Sequence, residues 1–267
     1  MIELLLSDVD GTLVTPQKEL APSTVEAVHE LHEASIHFAL TSGRPPRGMA
    51  MLVEPLDLRA PLAGFNGGLV VEPGLDVIEE HTIRQDLVAP TIELLEASAL
   101  TVWVYQGTEW YIRDPEGPHV ARETHTVRFD PTVVDSFDGL GAGVAKIVGV
   151  SDDFDAVAVA EDAAHERLGE HVSASRSQPY YLDITHPQAN KGAVVTFLAE
   201  RFEISPDEIA TIGDMANDVL MFARSGLSIA MGNAHREVQR AARHVTTTNE
   251  DDGFANAVER FILRQGG

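Results

Sequence analysis

The chain has 267 residues and no cysteine, and its 42 Asp+Glu against 19 Lys+Arg give a formal charge of −23. Hydrophobic residues make up 44% and charged residues 23%, the balance of a folded chain; at ~150 residues per domain there is room for one large domain or two modest ones. Without thiols there is no disulfide scaffold and no thiolate zinc site, so any metal must be held by carboxylates, histidines or carbonyls. No apolar run approaches the ~20 residues of a membrane span. The opening Met1-Ile2-Glu3 and three leucines, without a basic segment, predict no secretory signal. The acidic balance disfavours nucleic acid and anionic membranes as partners, and the expected setting is cytoplasmic. An anionic substrate stays possible because a bound divalent cation reverses the local sign.

Residues 2–6 read as a buried strand, followed by the polar turn Ser7-Asp8-Val9-Asp10-Gly11-Thr12. Pro22-Ser23-Thr24-Val25-Glu26 predicts a helix start, with Ser23 as cap and Glu26 completing a capping box. Ile36 to Leu40 is the next strand, closed by Thr41-Ser42-Gly43-Arg44. Strand, turn, helix, strand is the opening of a parallel α/β sheet.

The middle, 82–187, has a different texture. A helix is expected over 86–99 and a hairpin around Gly107-Thr108. A strand over 144–150, an Ala-rich helix over 154–168 and a strand over 180–185 follow. This reads as an α+β unit inserted into an α/β domain made of 1–81 and 188–267. The closing part predicts a helix from Asn190 to Phe202 and a capping signature at Ser205-Pro206-Asp207-Glu208. Strands are expected over 209–212, 227–231 and 244–247, with helices near 217–223, 234–242 and 253–264.

The chemistry lies at the strand ends. Asp8 and Asp10, two residues apart in extended chain, share a face at the end of the first strand, where α/β sheets bind ligands. An Asp-rich turn that merely caps a helix has the same appearance. Gly213-Asp214-Met215-Ala216-Asn217-Asp218 is a second acidic turn after a buried strand, and Asn217 or Asp218 could equally cap the next helix. Lys191 opens a helix, where a cation is mildly unfavourable. Thr41, Ser42 and Gly43 supply hydroxyl and backbone N–H groups able to hold a phosphate. In this order the set is what phosphoryl transfer through an aspartyl intermediate requires: a nucleophile, an acid, a cation, a metal turn and a positioning hydroxyl.

These motifs, with Asn190-Lys191-Gly192, Ala230-Met231-Gly232-Asn233-Ala234 and Asn249-Glu250-Asp251-Asp252-Gly253, resemble those of the haloacid dehalogenase (HAD) superfamily phosphatases, Cof-type with a type IIB cap. The resemblance implies a doubly wound, Rossmann-like core with an inserted α+β cap. It also implies Mg²⁺-dependent hydrolysis of small phosphate monoesters, most often sugar phosphates, by a monomer or homodimer. It assigns Asp8 as nucleophile, Asp10 as general acid and base, and Lys191 as the cation on the phosphoryl group. Mg²⁺ falls to the Asp8 carboxylate, the Asp10 carbonyl and the Asp214 carboxylate, supported by Thr12 and Asp218. Phosphate falls to Ser42, Gly43, Lys191 and Asn217. Thr41 is the alternative hydroxyl, because the subfamily more often has Ala-Thr-Gly-Arg at 41–44. Arg44 and Asn66 are possible substrate contacts, although a surface ion pair explains Arg44 about as well and Asn66-Gly67 reads first as a hairpin turn. A phosphohexomutase, phosphomannomutase-like, and a non-catalytic ligand-binding protein on the same scaffold are the alternatives. The spacing of 213–218 speaks against the first, and the presence of Asp8, Asp10 and Asp214 against the second.

Trp103, Tyr105, Trp110 and Tyr111 are expected to fill the core of the inserted unit, and Arg84, Arg113, Arg122 and Arg176 are its candidates for meeting a second anionic group.

Overall fold

A computed structural model describes residues 1–266; residue 267, the last of the expected second core segment, lies outside them. In chain order the elements are β1 (Leu4–Asp8), α1 (Pro22–Glu33), β2 (His37–Thr41), β3 (Leu62–Gly64), β4 (Leu69–Val71) and β5 (Val77–Glu80). Next come α2 (Gln85–Ala97), β6 (Thr101–Gln106), β7 (Glu109–Ile112), α3 (Val120–Val127), β8 (Thr132–Val133), β9 (Val144–Val150), α4 (Phe154–Leu168), β10 (Ser173–Gln178) and β11 (Tyr181–Thr185). The chain closes with α5 (Lys191–Phe202), β12 (Ile209–Gly213), α6 (Val219–Phe222), β13 (Leu227–Ala230), α7 (Arg236–Ala241), β14 (His244–Val245) and α8 (Gly253–Ala257).

Eight strands form one sheet in the order β14-β13-β12-β1-β2-β3-β4-β5. β14 through β3 run parallel, while β4 and β5 add an antiparallel edge. That edge departs from a purely parallel expectation. It turns at Phe65 and Asn66, both with positive φ, so the Asn66-Gly67 pair does act as a hairpin signal. Alternation within β1 divides the core between two faces. Leu5 joins the cluster holding Val28, Leu31 and Phe254, from α1 and α8; Leu4 and Leu6 join Val194, Val195 and Met221, from α5 and α6. β1 lies between β12 and β2, so the strand order reverses there and its C-terminal end opens the ligand crevice.

The six-stranded sheet has the order β10-β11-β9-β6-β7-β8. One face packs on α2 and α4 through Val102, Val104, Ile147, Leu182 and Ile184. The opposite face carries Trp103, Tyr105 and Trp110, which share a continuous apolar cluster with Met49, Leu62 and Phe65 of the eight-stranded unit. Trp103 and Trp110 are fully buried, so these rings are core and not an exposed platform. The chain passes between the sheets at 81–84 and 186–189, where His81 and His186 stack with centroids 5.6 Å apart.

Helix starts refine the sequence reading. Ser23 does not cap α1: Pro22 already occupies the first helical turn after Ala21, and the Ser23 hydroxyl instead bonds the Asp252 carboxylate at 2.5 Å. Asn190 stands one residue outside α5 and accepts the Ala193 N–H at 3.0 Å. The Ser205–Glu208 capping box forms, but on a 3₁₀ turn. β10, α3 and β8 were not expected; they are short or strongly polar, with burial patterns that carry no clear period. Asn190→Ala is expected to cost about 1 kcal/mol in urea denaturation. Ser23→Ala is expected to stay within about 0.5 kcal/mol of wild type; equal losses would contradict the assignment of caps.

Candidate active site

Three strand ends and one helix start meet at the crevice. Asp8 ends β1, Thr41 ends β2 directly beside it in register, Asp214 follows β12, and Lys191 opens α5. Lys191 is only 1% exposed. Its Nζ donates to Asp8 Oδ1 and to Asp218 Oδ1, each at 2.6 Å. Burial opposes its charge, but the Asp218 and Asp8 carboxylates outweigh that and hold its pKa above the usual lysine range. The same two carboxylates offset the unfavourable helix dipole. The other oxygen of Asp218 accepts the backbone N–H groups of Asp214 (2.9 Å) and Met215 (2.8 Å), which shapes the acidic turn.

Asp8 Oδ2 is buried without a hydrogen-bond partner among the described residues. Burial raises the Asp8 pKa well above the usual carboxylate range; Lys191 opposes this, and Asp218 and Asp214 add to it. Burial and Asp218 push Asp214 up to about 6, against the hydrogen bond from Thr12 Oγ1 at 3.2 Å. Asn233 Nδ2 reaches Asp214 Oδ2 at 3.4 Å and the Gly11 carbonyl at 2.9 Å. Gly11 has φ +83°, and a β-carbon there would overlap the Asp214 carboxylate. Asp8, Asp214 and Asp218 bring carboxylate oxygens within 4.8 Å of one another, against the single charge of Lys191. An unpartnered buried carboxylate oxygen in an all-oxygen, net-negative cluster fits a hard divalent cation such as Mg²⁺.

The Asp10 side chain turns to the opposite wall. Arg44 holds it through two bonds, Nε to Oδ2 and Nη2 to Oδ1, both 2.7 Å, and Lys18 donates to Oδ1 at 2.5 Å. Burial works against its ionisation, but the Arg44 bond and charge, with Lys18, bring its pKa down to about 2. Arg44 is no surface ion pair: it is 6% exposed, and its Nη1 donates to the carbonyls of Gly48 (3.3 Å) and Thr126 (3.0 Å). With its guanidinium so engaged, it ties the Asp10 carboxylate to α3 of the six-stranded unit.

Ser42 Oγ accepts the Arg44 N–H at 3.2 Å, so its hydroxyl hydrogen is available to a ligand. Thr41 Oγ1 is buried without a partner among the described residues. The Asn66 N–H donates to the Ser42 carbonyl at 2.7 Å, and Asn66 Oδ1 accepts from Asn217 Nδ2 at 3.0 Å. The structure thus brings Asn66 and the exposed Asn217 to the rim beside Ser42 and Gly43. Two participants were not singled out from sequence. Asn233 lay inside a quoted motif without a role, and Lys18 carried no readable signal.

A family model described as haloacid dehalogenase-like hydrolase matches residues 5–258. A Haemophilus influenzae protein named as a candidate phosphatase is 30% identical over 260 residues, spanning 97% of this chain and 98% of its own. A Bacillus subtilis 5-amino-6-(5-phospho-D-ribitylamino)uracil phosphatase is 23% identical, spanning 98% and 96%. The crystal structure of a haloacid dehalogenase-like hydrolase from Bacteroides thetaiotaomicron superposes with TM-score 0.91 at 28% identity, over 98% of this chain and 100% of that one. The HAD subclass IIB sugar phosphatase BT4131 has the same fold, with TM-score 0.84 at 22% identity over 97% and 98%. The match along nearly the whole sequence, together with a 30% identical relative aligned over almost its full length, makes this chain an enzyme of the haloacid dehalogenase-like hydrolase family.

Proposed function

We propose that the protein is a Mg²⁺-dependent phosphatase of small phosphate monoesters, sugar phosphates foremost, working through a phosphoaspartate on Asp8. The observation that carries this reading is the buried, unpartnered Asp8 Oδ2, whose other oxygen is fixed by Lys191 and whose neighbour is the Asp214 carboxylate. Residues 82–187 would act as the cap that closes over the crevice and admits the leaving group. The setting we propose is cytoplasmic; no helix of the described residues is long and apolar enough to cross a membrane.

An Asp8 carboxylate oxygen attacks phosphorus, the bond from phosphorus to the ester oxygen breaks, and Asp10 gives that oxygen a proton. Water then attacks the phosphoaspartate, Asp10 takes its proton, and inorganic phosphate leaves with Asp8 restored. Lys191 and the Ser42 hydroxyl hold the phosphoryl oxygens throughout. The Arg44 clamp keeps Asp10 ionised, the form suited to the second step. Donation in the first step requires that grip to loosen, which couples the acid to the position of α3. Mg²⁺, held by the Asp8 and Asp214 carboxylates and the Asp10 carbonyl, would screen the phosphate from the acidic crevice and make phosphorus more electrophilic. Uncatalysed monoester hydrolysis is slow enough to demand ~20 kcal/mol from the site, which no single group supplies.

Phosphate release from an aryl phosphate with Mg²⁺ is expected to fall on the order of 10⁴-fold or more in Asp8→Asn. A folded Asp8→Asn protein that turns over at the wild-type rate would reject the nucleophile.

Magnesium affinity should depend on pH with a defined sign. Asp214 has to shed its proton to bind the ion, and its pKa is raised to about 6, so affinity falls as pH drops below that value. Calorimetric titration is expected to show Mg²⁺ binding about tenfold weaker at pH 5 than at pH 7.5. Asp214→Asn should abolish the binding at both.

A further inference from the structure

The face of the six-stranded sheet that meets the crevice carries polar groups where alternation would place apolar ones. Tyr105 on β6 pairs in register with Lys146 on β9, and Lys146 Nζ reaches diagonally to Asp183 Oδ2 on β11 at 2.7 Å. Tyr105 Oη donates to Glu123 Oε1 of α3 at 3.2 Å. Asp183 is 7% exposed, yet its Oδ1 has no hydrogen-bond partner among the described residues. Tyr181, two positions earlier on the same face of β11, has a buried hydroxyl that is equally unpartnered. Folded proteins rarely leave buried polar atoms unpaired, and those that persist call for a partner absent from the bare chain.

The cluster adjoins the candidate active site on two sides. Glu123 lies one helical turn before Thr126, whose carbonyl accepts from the same Arg44 that grips Asp10. The Tyr105 ring packs at a tilt against Phe65, centroids 5.3 Å apart, next to the Asn66 that bonds the Ser42 carbonyl. A group attached to a phosphate held at Ser42 and Asp8 would therefore extend towards this face.

We infer that Asp183, Tyr181 and Glu123, with Lys146, form the leaving-group subsite, and that it takes an uncharged, polyhydroxylated group and excludes one bearing a second anion. The inference rests on the phosphatase reading above. Carboxylate oxygens accept hydrogen bonds only, so they select a ligand rich in hydroxyl donors; Tyr181 Oη donates or accepts in turn. Among its own charged members, two carboxylates face one ammonium, an excess that disfavours a second phosphate or a carboxylate beside Asp183 and Glu123. Three of the four arginines able to receive such a group are engaged elsewhere. Arg84 pairs with Asp86, Arg113 with Glu96 and Arg176 with Glu161, all partly exposed; Arg122 lies over the Tyr180 ring, and its charge reaches Tyr181.

The test uses the full-length protein with Mg²⁺ and a panel of pentitol 5-phosphates, hexose 6-phosphates, fructose 1,6-bisphosphate and p-nitrophenyl phosphate. Tyr181→Phe removes a hydroxyl without a partner among the described residues, so its melting temperature should hold or rise. For the best polyhydroxylated substrate, kcat/KM should fall about tenfold, chiefly through KM, with p-nitrophenyl phosphate within about twofold of wild type. Asp183→Asn should show the same split in kcat/KM, with a lower melting temperature because Lys146 loses its carboxylate partner. Binding of that substrate to Asp8→Asn protein, measured by calorimetry, reads the subsite without turnover and should weaken about tenfold on adding Tyr181→Phe. Unchanged binding, an equal loss on p-nitrophenyl phosphate, or a wild-type preference for the bisphosphate overturns the subsite. Substrate binding that responds to Tyr181→Phe, in a wild-type protein that hydrolyses no ester, overturns the phosphatase reading and leaves the subsite standing.

Discussion

A lysine buried between two aspartates organises this molecule. Lys191 touches Asp8 from the first strand and Asp218 from the turn after β12, joining segments 183 and 27 residues away in sequence. Buried ion pairs of this kind add little net stability, because desolvation consumes most of the Coulomb gain. Their effect is positional: taking away one partner strands the others in a medium that does not solvate them. With Lys191 fixed, Asp8 has one oxygen committed and one left over, and Asp218 can spend its second oxygen on the backbone of the acidic turn. That turn presents Asp214 to the same space, where Thr12 and Asn233 orient it. Three carboxylates facing one ammonium form an arrangement that is strained by its own charge, and the upward shifts of Asp8 and Asp214 express that strain.

Arg44 performs the corresponding task between the two sheets. Its donors are divided between the Asp10 carboxylate and the carbonyls of Gly48 and Thr126, so the position of α3 and the state of Asp10 are mechanically linked. A second crossing, Arg47 to Glu109 at 2.9 Å, is half exposed and correspondingly weak. The apolar cluster of Met49, Phe65, Trp103, Tyr105 and Trp110 supplies the breadth of the contact, and Arg44 its chemical consequence. An arginine suits this position because its planar fork serves a carboxylate on one side and carbonyls on the other; a lysine would satisfy one of them at a time.

Much of the eight-stranded unit was legible because its signals are local. Continuous apolar runs such as Leu4-Leu5-Leu6 mark strands buried on both faces, and the polar residues that follow them mark the crevice. The juxtaposition of Asp8, Asp214 and Lys191 followed from strand ends and a helix start, without any knowledge of register. What local pattern could not convey was competition among partners. Ser23 looks like a cap until Pro22 claims the first turn, and Arg44 looks like a surface residue until α3 lies over it. The β4–β5 edge escaped notice because β4 is only three residues long and β5 is largely exposed, so neither offers a clean alternation.

The six-stranded unit was less readable because its two faces follow different rules. Its outer face obeys the ordinary rule, with Val102, Val104, Ile147, Leu182 and Ile184 packed beneath α2 and α4. The inner face breaks the rule with Lys146, Tyr181 and Asp183 interleaved among Trp103, Tyr105 and Val148. In sequence those polar residues look like the solvated side of a half-exposed sheet, because a strand cannot distinguish water from a second sheet. The packing of Trp103, Tyr105 and Trp110 against Met49 and Phe65 turns that face inward and takes its charges out of water. A sheet that merely closed the core would be selected for apolar residues there, since each buried charge has to be matched or solvated. A lysine, an aspartate and an unpartnered tyrosine hydroxyl at such positions fit the proposed subsite, in which a polar leaving group would supply the missing partners.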